Sequence, residues 1–321
     1  MKNIVDYAEY TRAGLETQTL NAVDSLILSQ LSYYHLPIKA SGILTWKGEK
    51  LSALPAVCDY DKMLFDVWGP KQSRELFEIM AANPRYENII VKGYEESTNA
   101  KDEKQFSAVT FQLNDDAFYV AFRGTDSTLI GWKENFNMSF MLPVPAQLKA
   151  VEYLNTVAAS IPGEYYMGGH SKGGNLSLYS FANCDSQTAS KVTGCYCFDG
   201  PGLSEETFTR PEVRERLPRM KTILPPFSVV GRLFFHEEEL FVVKSSQRYL
   251  GQHDCFSWEV VGNRLIKNES GFMRGSDEME KNIKRLIADT DGCERDALFE
   301  SFFGWLLADG DSTLTDLEKK R

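Results

Sequence analysis

Apolar residues recur at spacings of three and four along residues 17–34, TQTLNAVDSLILSQLSYY, where Leu20, Val23, Ile27, Leu31 and Tyr34 share one face. That period predicts an amphipathic helix. Residues 36–69 carry the breakers Pro37, Gly42, Pro55 and Gly69 and read as irregular; a helix follows at about 71–83, ending before Pro84. The period then changes to that of strands. ENIIVKGYEE, FSAVTFQL and AFYVAFRG are short, β-branched and aromatic, and the NDD between the second and third predicts an antiparallel hairpin. Pro145 opens a helix through about Ile161, with Leu148, Val151, Leu154 and Ala158 on one face, and Pro162-Gly163 closes it. EYYMGG then reads as a strand, GGNLSLYSFAN as a helix and KVTGCYCFDG as a strand. Strand-like FSVVGRLFF, LFVVKSS and WEVVGNRLIK follow, the last with a Gly262-Asn263 turn. Residues 275–318 are charged and helical in period, through Met279, Ile283, Leu286 and Ile287, then Leu298, Phe302, Trp305 and Leu306.

Strands alternating with helices predict an α/β architecture: a mostly parallel sheet with helices on both faces. No linker interrupts the pattern. The expected organisation is one domain over 1–321, with a sheet core at about 86–265, an N-terminal helical region at 1–85 and C-terminal helices at 275–321.

Composition narrows the function classes. The 321 residues are 43% hydrophobic and 12% aromatic, enough for a large core and too much for a disordered chain. The net charge of −10 has the wrong sign for a phosphate-backbone binder, so no nucleic-acid partner is expected. The six cysteines are too sparse for a disulfide scaffold and lack zinc-site spacing, so buried reduced thiols are expected, with Cys195 and Cys197 sharing a strand face. MKNIVDYAEY has no apolar signal-peptide core, and no stretch is long enough for a membrane span. Cytoplasmic is therefore the default expectation.

The chemistry centres on Gly169-His170-Ser171-Lys172-Gly173, a G-x-S-x-G match between a predicted strand and a predicted helix. That is the context of a nucleophile elbow in an α/β-hydrolase fold: the serine sits on a strained turn, and the glycines allow strand and helix backbones to approach. The competing reading is a glycine-rich turn with an incidental serine. A serine hydroxyl needs a base. Of the four histidines, His170 adjoins the serine and points away from it, His35 precedes the sheet, and His236 borders the Glu237–Glu239 run, which suggests a solvated loop. His253 lies on a late loop, in the chain order serine, acid, histidine of this fold. Asp199, in Phe198-Asp199-Gly200-Pro201-Gly202 at a strand's end, is the candidate acid, against the alternative that it only caps its turn. Asp254 is disfavoured because it is adjacent to His253. The oxyanion hole needs two N–H groups, one from Lys172 and one from the strand end Phe122-Arg123-Gly124-Thr125, where Thr125 is the candidate.

Phe122-Arg123-Gly124-Thr125 followed by Gly168-Gly169-His170-Ser171-Lys172-Gly173-Gly174-Asn175 resembles the F-R-G-T and G-H-S-x-G-G segments of the class 3 lipase-like α/β-hydrolases. With Asn21–Leu26, Phe198–Gly202, Gln252-His253-Asp254 and Ser257-Trp258, the chain is similar to an uncharacterised bacterial lipase-like family, over roughly residues 20–265. The resemblance implies Ser171 as nucleophile, His253 as base and Thr125 as an oxyanion residue. It departs from class 3 at the acid: the matching stretch, Pro226-Phe227-Ser228-Val229-Val230, has no aspartate. Either Asp199 supplies the acid one strand earlier, as in some other lipases, or the triad is incomplete. Lys172 stands where class 3 elbows carry Leu, its charge either suited to a polar or anionic substrate or turned into solvent.

The expected function is a serine hydrolase, esterase or lipase-like, that cleaves a small-molecule ester or lipid-like substrate through an acyl-enzyme on Ser171, with no cofactor or metal. Phe136–Pro143 is expected to line an acyl pocket, form a lid or serve as ordinary core. The alternative is a catalytically inactive hydrolase-fold binding or scaffold protein. A phosphate loop at Gly168–Gly174 is disfavoured, because the run lacks the G-x-x-x-x-G-K-[ST] order.

Overall fold

The computed structural model describes residues 2–37, 48–99, 104–125 and 143–274, together with residues 281 and 285. Helices α1 (Ile4–Tyr10) and α2 (Ala22–Leu31) open the chain. Strand β1 (Glu49–Lys50), α3 (Tyr60–Met63) and α4 (Pro70–Ala82) precede the meander β2 (Ile90–Asn99), β3 (Lys104–Gln112) and β4 (Ala117–Phe122). Then come α5 (Pro145–Ser160), β5 (Glu164–His170), α6 (Lys172–Asn183), α7 (Ser186–Lys191) and β6 (Val192–Phe198). Helices α8 (Glu205–Thr209) and α9 (Pro211–Arg216), then β7 (Met220–Leu224) and β8 (Glu239–Val242), complete the main sheet, and β9 (Val260–Val261) with β10 (Arg264–Leu265) forms a small hairpin.

The main sheet has eight strands in the order β1 to β8. Its first four are antiparallel neighbours, and β4 through β8 run parallel. Parallel strands laid down in sequence by right-handed crossovers put their connecting helices on one face. The side chains follow that rule. On β4, Phe118, Val120 and Phe122 point into a core shared with Leu154 of α5 and Leu176 and Phe181 of α6. Tyr119 and Ala121, one residue out of phase, enter a second core with Val23 and Ile27 of α2 and Phe77 and Met80 of α4. The N-terminal helices thus cover the face that the crossovers leave bare. Cys195 and Cys197 share the crossover-helix face, and the five cysteines among the described residues are unbridged.

Several boundaries differ from expectation for local reasons. The helix predicted over 17–34 starts at Ala22, because Asn21 caps it in a reciprocal box with Asp24. Residues 227–235, expected as a strand, are turns and bends with a single bridge from Phe235 to Leu203, and Met220–Leu224 takes the strand position instead. Pro225 and Pro226 end that strand, since neither offers a ladder donor. The expected C-terminal helices at 275–321 lie outside the described residues, as does most of Phe136–Pro143. No helix among the described residues is long and apolar enough to cross a membrane.

The N-terminal layer is fastened by a buried ion pair. Arg85 Nε and Nη2 donate to the Asp24 carboxylate at 2.8 and 2.5 Å, with both side chains fully buried. Tyr7 and Tyr86 hydroxyls also donate to Asp24, and Arg85 Nη1 donates to the carbonyls of Ala13 and Gln18. Burial, then the neighbouring Asp24 charge, pushes the Tyr7 phenol up to about 12. Arg85→Met leaves this carboxylate buried without its cation. Urea unfolding should show a loss of about 3–5 kcal/mol; a loss below about 1 kcal/mol would mean that the pair does not hold this layer.

Candidate active site

Three neighbouring parallel strands end side by side. Register pairs Phe122 of β4 with Gly169 of β5, and His170 of β5 with Phe198 of β6. Ser171 follows β5, Asp199 follows β6 and Thr125 lies three residues past β4, so all three candidates emerge at the carboxyl edge of the sheet, where ligands bind in open α/β sheets.

Ser171 has φ 57° and ψ −130°, a backbone conformation that costs a non-glycine residue about 1–3 kcal/mol. Neighbouring strands hold it there, with Ser171 N donating to Phe198 O at 2.9 Å. The flanking glycines have the expected role. A Cβ at Gly173 would lie 2.1 Å from Phe122 O, and one at Gly169 would lie 2.3 Å from the Gly173 carbonyl. Ser171 is the N-cap of α6, so the first-turn N–H groups of the helix face the site.

The structure brings Asp199 and His253 together. His253 Nδ1 lies 2.6 Å from Asp199 Oδ2, with the carboxylate 1% exposed and the imidazole 28% exposed. The other carboxylate oxygen accepts a short hydrogen bond from Ser228 Oγ. Asp199 itself has φ 47°, and its N–H donates to Ile223 O at 2.9 Å. No hydrogen bond joins Ser171 Oγ to the His253 ring in this conformation; the serine and the histidine–aspartate pair are linked instead through the neighbouring residue His170. His170 Nε2 donates to the His253 carbonyl at 2.8 Å, and the two rings are 4.5 Å apart. Burial, then the adjacent His253 ring, holds His170 well below the usual imidazole value.

The 253 loop is fixed by its own motif. Trp258 Nε1 donates to Gln252 O at 2.8 Å, Gln252 Oε1 accepts from Phe227 N at 2.8 Å, and Asp254 Oδ1 accepts from Phe256 N at 2.9 Å. Asp254 is thus a turn cap, while Asp199 reaches the imidazole.

Two expectations are corrected. Lys172 does not turn into solvent: it is fully buried, and Nζ donates to Gln105 O on β3 at 2.8 Å. A helix residue directly after the elbow faces the sheet, and its long side chain reaches the next strands. His236 is not freely solvated: its side chain is only 8% exposed, with Nδ1 2.7 Å from Glu238 Oε1, which also accepts from Thr222 Oγ1. Ser228 and Tyr33 were missed as site residues. Ser228 had a signal, since it lies in the stretch that aligned with the class 3 acid segment.

Arg123, in the candidate oxyanion segment, is buried and sits 2.7 Å from Glu96 Oε1. Burial alone would push the Glu96 pKa up, but His35, Arg123 and Tyr94 outweigh it and hold the carboxyl at about 2. Among the described residues, no group of three or more His, Cys, Asp or Glu is arranged to hold a metal ion.

An elbow serine after β5, with an aspartate after β6 and a histidine on a later loop at the same edge, defines an α/β-hydrolase-fold protein. The chain belongs to the Mbeg1-like family, whose model matches residues 80–304. It is also similar to a solved structure, the crystal structure of M37 lipase, at 15% identity and a TM-score of 0.39, covering 65% of this chain and 68% of that one. No curated protein matches it.

Two measurements check this geometry. Gly173→Ala forces a methyl group against Phe122 O and should destabilise by about 1–3 kcal/mol, read by thermal unfolding; a wild-type midpoint would contradict the close approach. Glu96 has a folded pKa below its unfolded value, so its stabilisation is full above about pH 4.5 and is lost as pH falls toward about 2. The stability gap between wild type and Glu96→Gln should therefore shrink between about pH 5 and pH 3, and a pH-independent gap would contradict the ion pair.

Proposed function

We propose that the protein is a serine hydrolase that cleaves a carboxylic ester through an acyl-enzyme on Ser171. The observation that carries this reading is the 2.6 Å bond between His253 Nδ1 and the buried Asp199 carboxylate, at the sheet edge where the elbow presents Ser171. A carboxylate bound to Nδ1 fixes the tautomer whose Nε2 is free to accept a proton.

In this reading Ser171 Oγ attacks the ester carbonyl carbon as His253 Nε2 takes its proton. The Asp199 carboxylate stabilises the resulting imidazolium. The Lys172 and Thr125 backbone N–H groups receive the charge that develops on the carbonyl oxygen. The imidazolium then protonates the departing alcohol, and water activated by the same base hydrolyses the acyl-enzyme. Asp199 stands one strand earlier than the class 3 acid, and Ser228, from the segment that matches the class 3 position, supports its carboxylate.

Closing the hydrogen bond between Ser171 Oγ and His253 Nε2 is then part of forming the substrate complex, since catalytic hydrogen bonds often tighten only there. Wild-type protein should label with a fluorophosphonate at Ser171, and Ser171→Ala and His253→Ala should abolish labelling. Asp199→Asn should slow hydrolysis of p-nitrophenyl butyrate by about 10²–10⁴-fold. A folded wild type that neither labels nor hydrolyses the ester would sink this reading in favour of a binding or scaffold protein.

A further inference from the structure

His253 lies on a loop without strand pairing of its own, at the end of a single 3₁₀ turn over Tyr249–His253. A general base must sit within a fraction of an ångström of its productive position, so a loop-borne base needs fixed points. Asp199 fixes its ring. Its backbone is fixed by His170, whose Nε2 lies 2.8 Å from the His253 carbonyl oxygen. A carbonyl only accepts, so Nε2 of His170 carries the proton and Nδ1 is left as an acceptor. Tyr33 Oη lies 3.0 Å from that Nδ1 and 3.2 Å from the His170 carbonyl oxygen, so its hydroxyl supplies the matching donor. The packing around this chain leaves little slack. A Cβ on Gly124 would lie 2.0 Å from Tyr33 Oη and 2.5 Å from His170 O, so the strand end that leads to Thr125 closes against the same two residues.

We propose that His170 and Tyr33 are positioning residues for His253: the His253 carbonyl sets the His170 tautomer, Tyr33 holds the His170 ring at Nδ1, and His170 ties the residue before the nucleophile to the backbone of the base. This rests on the reading of Ser171 and His253 as nucleophile and base. Because His170 is covalently joined to Ser171, its bond to the His253 carbonyl sets the spacing between the segment that carries the nucleophile and the segment that carries the base. His170 is held neutral at this position by its burial and by the neighbouring His253 ring. Protonation would turn Nδ1 into a donor facing the Tyr33 hydroxyl and place a cation beside the imidazolium that His253 becomes.

The test combines kinetics with a readout that needs no activity. Fluorophosphonate labelling rates, and kcat and KM for p-nitrophenyl butyrate, are measured for wild type, His170→Phe, His170→Gln, Tyr33→Phe and the His170→Phe/Tyr33→Phe double variant. Long-range proton–nitrogen spectra report the His170 tautomer. The expected tautomer is Nε2–H in wild type. His170→Phe should lower the labelling rate and kcat by about 10²-fold with KM little changed. His170→Gln, which restores an N–H donor at that reach, should recover most of the loss. Tyr33→Phe should have a smaller effect that disappears in the His170→Phe background, as expected for two members of one chain.

An Nδ1–H tautomer, or a folded His170→Phe that labels at the wild-type rate while wild type labels at Ser171, would overturn the inference and leave the hydrolase reading standing. If His170→Phe fails to fold, the tautomer in wild type and the Tyr33→Phe rate decide between the same outcomes. A wild type that never labels or turns over ester defeats the hydrolase reading, and this inference falls with it.

Discussion

Moving a carboxylate out of water costs several kcal/mol unless other donors replace the solvent. Asp199 is almost completely buried, and the site is arranged around meeting that demand. One oxygen takes His253 Nδ1, the other takes the Ser228 hydroxyl, and the backbone of Asp199 continues the sheet ladder to Ile223. Each partner comes from a different segment. The requirement to satisfy one carboxylate therefore draws the 228 turn and the 253 loop onto the end of β6, next to the elbow at the end of β5. The non-strand path of residues 227–235 has the same cause: Ser228 serves the carboxylate and also accepts from Gly231 N at 2.9 Å, which bends the segment into a turn.

That edge needs a rigid sheet beneath it, and the sheet needs both faces covered. The crossover helices cover one face by topology alone. The other face depends on the N-terminal helices, which the Asp24–Arg85 pair and its tyrosines join to the segment after α4. The residue after α2, Ser32, leads directly to Tyr33, whose hydroxyl reaches His170. The N-terminal layer is thus both the cover of the sheet and a source of one contact at the candidate site.

Much of this was readable from the chain. The hairpin of β3 and β4, the strand–elbow–helix around Ser171, the strand ending at Asp199 and the Gly262-Asn263 turn each rest on local signals: alternation, flanking glycines, a capping residue, a turn dipeptide. Asp199 and His253 followed from their places in the chain order, and the structure sets them 2.6 Å apart. What the sequence hid was long-range. Lys172 looked like a charge beside a nucleophile; its burial depends on how α6 packs on β4, β5 and β6 so that the side chain reaches Gln105 of β3, which no local pattern encodes. His236 borders an acidic run that reads as surface, yet Glu238 folds inward to meet Thr222 and carries the imidazole with it. The run at 227–235 has strand composition, and the bonds of Ser228 to the distant Asp199 carboxylate and from Gly231 N hold it in a turn instead. The Asn21–Leu26 motif was visible as a signature, but its role as cap and as the carboxylate of an ion pair appears only with Arg85 in place.

The candidate site is held by the bond between Asp199 and His253, and the proton in that bond can be observed directly. A proton spectrum of the native protein should contain one strongly deshielded imidazole resonance from His253 Nδ1–H. It should persist in Ser171→Ala and vanish in His253→Ala and Asp199→Asn. A resonance that survives Asp199→Asn, or its absence from well-folded native protein at low temperature across neutral pH, would contradict the pairing and the site built on it.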